Sequence, residues 1–207
     1  LMLAVVGGWM FSAQPADVDE RTVKGEAPSD YVTRLAREKA LACSRFAHAG
    51  QVIVAADTAV VDGKDILGKP KNMADASGML RRLRNHTHQV YTGIAVIRMR
   101  DGHLITDLCI TDVPMRDYSD EEIDAYIVTG DPLDKAGGYA IQHPKFQPVE
   151  SLRGCYASVM GLPLCHLSRA LRQLNVRTNT DIPGNCQSAL DYRCPIFSDV
   201  LRGENVG

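Results

Sequence analysis

Six charged side chains fall where an ordinary surface pattern does not put them: Glu20, Lys39, Asp57, Lys69, Asp134 and Lys135. Carboxylates and lysines in equal number, with neither Cys nor His among them, suit hard-cation chemistry on a phosphate substrate. Magnesium takes one or two carboxylates and leaves its other positions to water and phosphate oxygens. Lysines neutralise the charge that develops on a polyphosphate. A free carboxylate orients or deprotonates the attacking water. Spacing alone leaves the alternative that half of these residues are surface pairs.

Each candidate has an ordinary reading beside the chemical one. Asp57 follows the apolar run Val52–Ala56, which reads as a strand buried on both faces and ending at Asp57-Thr58. There it either caps a turn or needs a metal, a cation or a proton as partner. Lys39 shares the apolar register of Leu35 and Cys43 on a helix starting at Pro28-Ser29-Asp30 and running to about residue 48. It either snorkels along that helix or meets an anion at the mouth of a cleft. Arg34, Arg37 and Glu38 read as the solvated face. Asp17, Asp19 and Glu20 lie in an acidic loop, and at most two of the three point into one site. Asp134-Lys135 precedes Ala136-Gly137-Gly138. It is either a structural pair on a turn or two charges beside a backbone that a ligand can approach closely. Gln142 follows a short apolar strand, and its amide reads a base edge or satisfies backbone groups.

The remaining elements form the frame. A helix is expected over about 75–84, then two alternating strands, 88–99 and 103–115, joined around Asp101-Gly102. Ser119 to Glu122 is a capping box opening a helix that Gly130 stops. Leu164, Leu167, Leu171 and Leu174 define a helix behind Pro163. Residues 1–11 read as the end of a helix, a glycine turn and a strand start, with Trp9 and Phe11 as core anchors. Beyond Asn175 no period persists, so an irregular tail is expected.

Composition narrows the classes. A chain of 207 residues, 45% hydrophobic, buries a proper core. A formal charge of −2 gives no basic footprint for a nucleic-acid polymer. Leu1 to Val6 is too short to span a membrane. Six cysteines without C-x-x-C spacing read as reduced thiols of a cytosolic protein. There is no G-x-S-x-G, Walker loop or G-x-G-x-x-G.

DVDE at 17–20, RLAREKA at 34–40, ADT at 56–58, GKP at 68–70, THQVYTG at 87–93, DKAGGYAIQ at 134–142 and GLPL at 161–164 resemble the Maf family of nucleoside triphosphate pyrophosphatases, in order and spacing, over about residues 8–174. The resemblance implies an α/β fold related to inosine triphosphatases. Its mixed, elongated sheet is flanked by helices, in two lobes about a central cleft. It implies a domain over 1–174 with 175–207 as tail, and hydrolysis of a nucleoside triphosphate to monophosphate and pyrophosphate with Mg or Mn. By the same analogy Asp57 is the proton acceptor, and Glu20 and Lys39 belong to the metal and phosphate site. Glu20 and Asp57 are the metal ligands, and Lys69 assists. Thr58 and Gln142 match positions that separate dTTP/UTP-type members from those acting on 7-methyl-GTP, and GGYAIQ resembles the dTTP/UTP type. A cytoplasmic enzyme is expected, with a homodimer as the common default.

Two departures from the family pattern set alternatives. Family members begin with a strand and a Ser-x-x-Arg-Arg-type loop that grips the triphosphate, and this chain is expected to start after it. Loss of such an arginine pair costs roughly a hundredfold in rate. Cys155 also stands where a serine is usual. The rival readings are a catalytically impaired nucleotide-binding or regulatory protein and a 7-methyl-GTP pyrophosphatase.

Overall fold

The computed structural model describes residues 7–204 and 206–207. The helix end expected over Leu1–Val6 lies outside them. Four strands, β1 (Val52–Asp62), β2 (Asp65–Leu67), β3 (Thr87–Arg98) and β4 (His103–Pro114), form one antiparallel sheet in the order β2-β1-β3-β4. The β3–β4 hairpin turns at Asp101-Gly102, where Gly102 takes φ +68°.

Helix α1 (Pro28–Ser44) covers one face of the sheet. Val32, Ala36 and Ala40 point down, onto Ala59 and Val61 from β1 and Ala95 and Ile97 from β3. Burial of this stripe follows from their spacing along one side of the helix. On the opposite face Ile94 and Val96 pack under α5 (Leu164–Gln173), through Leu164, Leu167 and Leu171. A third cluster closes the β2 end of the sheet. There α2 (Met73–Leu83) and α3 (Asp120–Ile127) bring Leu80, Leu83, Ile123 and Tyr126 onto Val60 and Val90. The capping box is present: Glu122 N donates to Ser119 Oγ at 3.3 Å and Ser119 N to Glu122 Oε2 at 2.9 Å.

Several expectations need correction. β1 does not stop at Asp57 but continues to Asp62, and Val52–Ala56 are only half-buried rather than enclosed on both faces. The reason is the pairing. β2 covers only Val60, Val61 and Asp62, leaving the outer edge of residues 52–59 unpaired among the described residues. α1 ends at Ser44 rather than near residue 48, and Phe46 beyond it is 75% exposed. Among the described residues no strand forms near Trp9; that ring packs on the α5 cluster while Phe11 is exposed. Tyr139–Ile141 are buried but irregular rather than a strand.

The segment after Asn175 is not irregular. It forms α6 (Ile182–Leu190) and α7 (Phe197–Arg202), anchored through Ile182 and Val200, both almost fully buried. Three further short elements matter below: α4 (Tyr156–Val159) and a pair of 3-10 turns over 131–138. All six cysteines are free thiols.

Candidate functional site

Alternation along β1 points Asp57 toward α1 and Thr58 the other way. Opposite Asp57 in the register stands Gly93. A Cβ on Gly93 would sit 2.6 Å from Val32 O, so the missing side chain is what lets α1 lie this close to the sheet. Lys39 is two turns beyond Val32 on the same side of the helix. Its Nζ reaches Asp57 Oδ1 at 2.6 Å and Glu20 Oε1 at 2.7 Å. Helix, strand and loop thus converge on one ammonium.

The loop carrying Glu20 has no regular structure, so side chains hold it. Tyr31 Oη donates to Glu20 O at 2.9 Å, and Arg34 donates to Arg21 O at 3.2 Å. Arg34 also grips Glu26, Nε to Oε1 at 2.6 Å. Arg34 is therefore not an idle solvated residue, and Tyr31 is a site residue that the charge pattern missed. Both sit on the α1 side that faces the loop, and Tyr31, Leu35 and Lys39 share an i, i+4, i+8 row that carries the signal.

Burial grades the three charges. The Asp57 side chain is 11% exposed, that of Lys39 20% and that of Glu20 57%, so the set runs from the sheet out to solvent. Burial pushes the Asp57 carboxyl above the usual aspartate value; Lys39 pulls it back without cancelling the rise, and Glu20 adds to it. For Lys39, burial works against the charge, but the hydrogen bonds it donates to Asp57 and Glu20 outweigh it and hold the ammonium above the ordinary lysine value. A carboxylate with a raised pKa is a better proton acceptor than a solvated one.

The other expected site residues do not join this cluster directly. Lys69 is exposed and without an ion-pair partner among the described residues. Lys135 Nζ is held by Asp134 Oδ1 at 2.6 Å and Asp131 Oδ1 at 3.0 Å. Their two loops do meet. Gly137 N donates to Gly68 O at 3.1 Å, and the absent Gly137 side chain leaves room for Val60, three residues past Asp57. Thr58 Oγ1 lies 2.9 Å from Thr92 Oγ1, which donates to Ser158 O at 2.9 Å. Gln142 opens into a pocket of about 470 Å³, lined also by His143, Gln147, Ser151, Tyr156 and Tyr192.

Two carboxylates converging on one cationic centre fit a hard divalent ion of the magnesium kind, which leaves most of its coordination to water and phosphate. They do not make an all-protein cage: among the described residues no group of three or more His, Cys, Asp or Glu side chains is placed to hold a metal.

The sequence profile described as Maf-like protein matches residues 1–174. The chain belongs to this family. Among curated Maf-like relatives, the chain is 45% identical over 175 residues to a dTTP/UTP pyrophosphatase of Geobacter sulfurreducens, covering 84% of this chain and 91% of that one. It is 47% identical over 168 residues to one from Geotalea uraniireducens, covering 81% and 86%. A third, from Anaeromyxobacter dehalogenans, is 45% identical and covers 80% and 84%. The four-stranded sheet flanked by helices is the α/β frame expected of a Maf-like chain. No helix among the described residues is long and apolar enough to cross a membrane.

Proposed function

We propose that this chain hydrolyses dTTP and UTP to the nucleoside monophosphate and pyrophosphate. The observation that carries the reading is the Lys39 ammonium held between Asp57 and Glu20; the names of the relatives supply the substrate class. Asp57 accepts the proton of the water that attacks the α–β anhydride. The new P–O bond forms as the bond to the leaving pyrophosphate breaks. Burial keeps Asp57 basic enough for this task. Lys39, already above its ordinary pKa, stays charged at neutral pH and offsets the negative charge building on the phosphates.

Glu20 and Asp57 would hold a divalent cation, which supplies charge neutralisation of the triphosphate when bound. Lys69, free of competing carboxylates among the described residues, assists from the 68–70 loop. Asp134 and Lys135 stiffen the adjoining loop beside the substrate. Thr58 and Gln142 select the base. The free thiols support a cytoplasmic setting.

The test is pyrophosphate release from dTTP with magnesium. Asp57→Asn is nearly isosteric, and it is expected to lower kcat by about 10²- to 10⁴-fold, the scale of a lost general base. A variant with unchanged kcat would remove Asp57 from the chemistry. A substrate panel in which 7-methyl-GTP outperforms dTTP and UTP would overturn the substrate class.

A further inference from the structure

The pocket at Gln142 has a wall that does not come from the family-matched part of the chain. The match ends at residue 174, and Tyr192 lies beyond it. α6 ends at Leu190 and is capped by Asp191, which takes φ +47°. Tyr192 is then pinned at both ends. Its N–H donates to Gln187 O at 3.1 Å, and its Oη lies 2.8 Å from Gly154 O and 3.2 Å from Leu152 O. The ring so fixed stands 5.5 Å from that of Tyr156, tilted by 42°, and both line the pocket with Gln142.

Three features make this pocket a candidate ligand site. Its volume of about 470 Å³ falls in the range of roughly 300–1,000 Å³ typical of small-molecule sites. Two non-glycine residues on its rim, Gln147 at φ +42° and Ser151 at φ +54°, adopt the left-handed conformation. Folds keep such residues only where surrounding contacts impose them, and they concentrate at functional sites. The pocket is also coupled to the Asp57 strand. Tyr156 opens α4, and two residues on, roughly 3 Å of helical rise, Ser158 O accepts from the Thr92 hydroxyl that contacts Thr58. Thr58 is the chain neighbour of Asp57, on the stretch of β1 whose outer edge is unpaired among the described residues.

We propose that Tyr192 of the C-terminal segment forms with Tyr156 the aromatic wall on which the pyrimidine ring of the substrate stacks, beside the Gln142 amide, and so contributes to base selectivity. This rests on the pyrophosphatase reading above. A planar ring gains from stacking on a fixed tyrosine because little side-chain freedom is lost on binding.

The test compares the unmodified chain with Tyr192→Leu and Tyr192→Phe, using dTTP and magnesium. KM and kcat come from pyrophosphate release, and the Kd of dTTP from calorimetry in the Asp57→Asn background. Tyr192→Leu should raise KM and Kd about tenfold, the scale of one lost base–aromatic stack, with kcat unchanged. Tyr192→Phe keeps the ring but loses the hydroxyl anchor, so its affinity should fall by less than that of Tyr192→Leu. An affinity loss in Tyr192→Phe as large as in Tyr192→Leu would assign the effect to the hydroxyl anchor and overturn the stacking wall. So would unmodified binding in Tyr192→Leu, or no dTTP binding by the unmodified chain. If dTTP binds and no pyrophosphate appears, the pyrophosphatase reading falls, while the Kd comparison still decides the role of Tyr192.

Discussion

Gly93→Ala places one methyl group against the closest approach of helix and sheet in the site. The added Cβ would stand 2.6 Å from Val32 O, 2.7 Å from Val32 C and 2.9 Å from Thr33 N. All three are backbone atoms inside α1, so no rotamer change relieves the clash. Restoring carbon contacts to about 3.5 Å requires α1 to retreat by roughly 1 Å. Lys39 rides on that helix, and its 2.6 Å contact with Asp57 would stretch beyond hydrogen-bond length unless the lysine stem follows. Misplacement of about 1 Å in a catalytic constellation costs around a hundredfold in rate. Overpacking of this kind destabilises by about 1–3 kcal/mol, which for a chain this long lowers Tm by about 2–4 °C per kcal/mol. The assay pairs pyrophosphate release from dTTP with a thermal melt. Both should fall together. A lower Tm with a full rate would mean that the lysine stem absorbs the shift. An unchanged Tm would mean that α1 is not held at this contact, and the account of how Lys39 is positioned would fail.

Lys39→Met should move the acid limb of kcat/KM upward by about 1–3 pH units, the effect of removing a cation beside a carboxylate. In the intact site burial and Glu20 raise the Asp57 pKa and Lys39 lowers it, so removing Lys39 leaves the raising influences dominant. The folded state then binds the Asp57 proton more tightly than the unfolded state, and stability falls as pH rises through that value. An acid limb that stays put would separate Lys39 from Asp57. Lys69→Ala should leave stability within about 0.5 kcal/mol, since the side chain is exposed and unpaired among the described residues. Its KM for dTTP should still rise, and a melting shift would reveal a structural role instead. Arg169→Met removes a guanidinium bonded to both oxygens of Asp107 at 2.7 Å and to Val200 O and Glu204 O. With both side chains under 15% exposed, the loss should approach about 3 kcal/mol and open 197–204 to protease. Unchanged cleavage there would show that α7 is held by its apolar contacts alone.

Much of the frame was legible because it is local. The capping box, the Asp101-Gly102 hairpin and the leucine repeat after Pro163 each follow from residues within one or two turns of each other. The charged triad was legible for a different reason: Lys39 and Asp57 both violate an otherwise apolar pattern. What the sequence hid is non-local. The half-exposure of Val52–Ala56 depends on how little of β1 the three-residue β2 covers. The role of Gly93 depends on a helix some sixty residues upstream. The helices of the tail are not legible because the row that reaches the core, Ile182, Cys186 and Leu190, spans only nine residues and is interrupted by Pro183 and Gly184.

The site also explains why its parts lie so far apart in sequence. α1 presents Lys39 to the strand and uses Tyr31 and Arg34 to fasten the irregular loop that brings Glu20. It rests on the sheet where Gly93 clears its backbone. Glu20 has no frame of its own, since no strand or helix carries residues 8–23. The reach of Glu20 to Lys39 is therefore set by the same helix that sets the reach of Lys39 to Asp57. Any displacement of α1 moves the ammonium and the loop carboxylate of Glu20 together relative to the carboxylate on β1. That makes the Asp57 contact, rather than the Glu20 contact, the coordinate to which activity should be most sensitive.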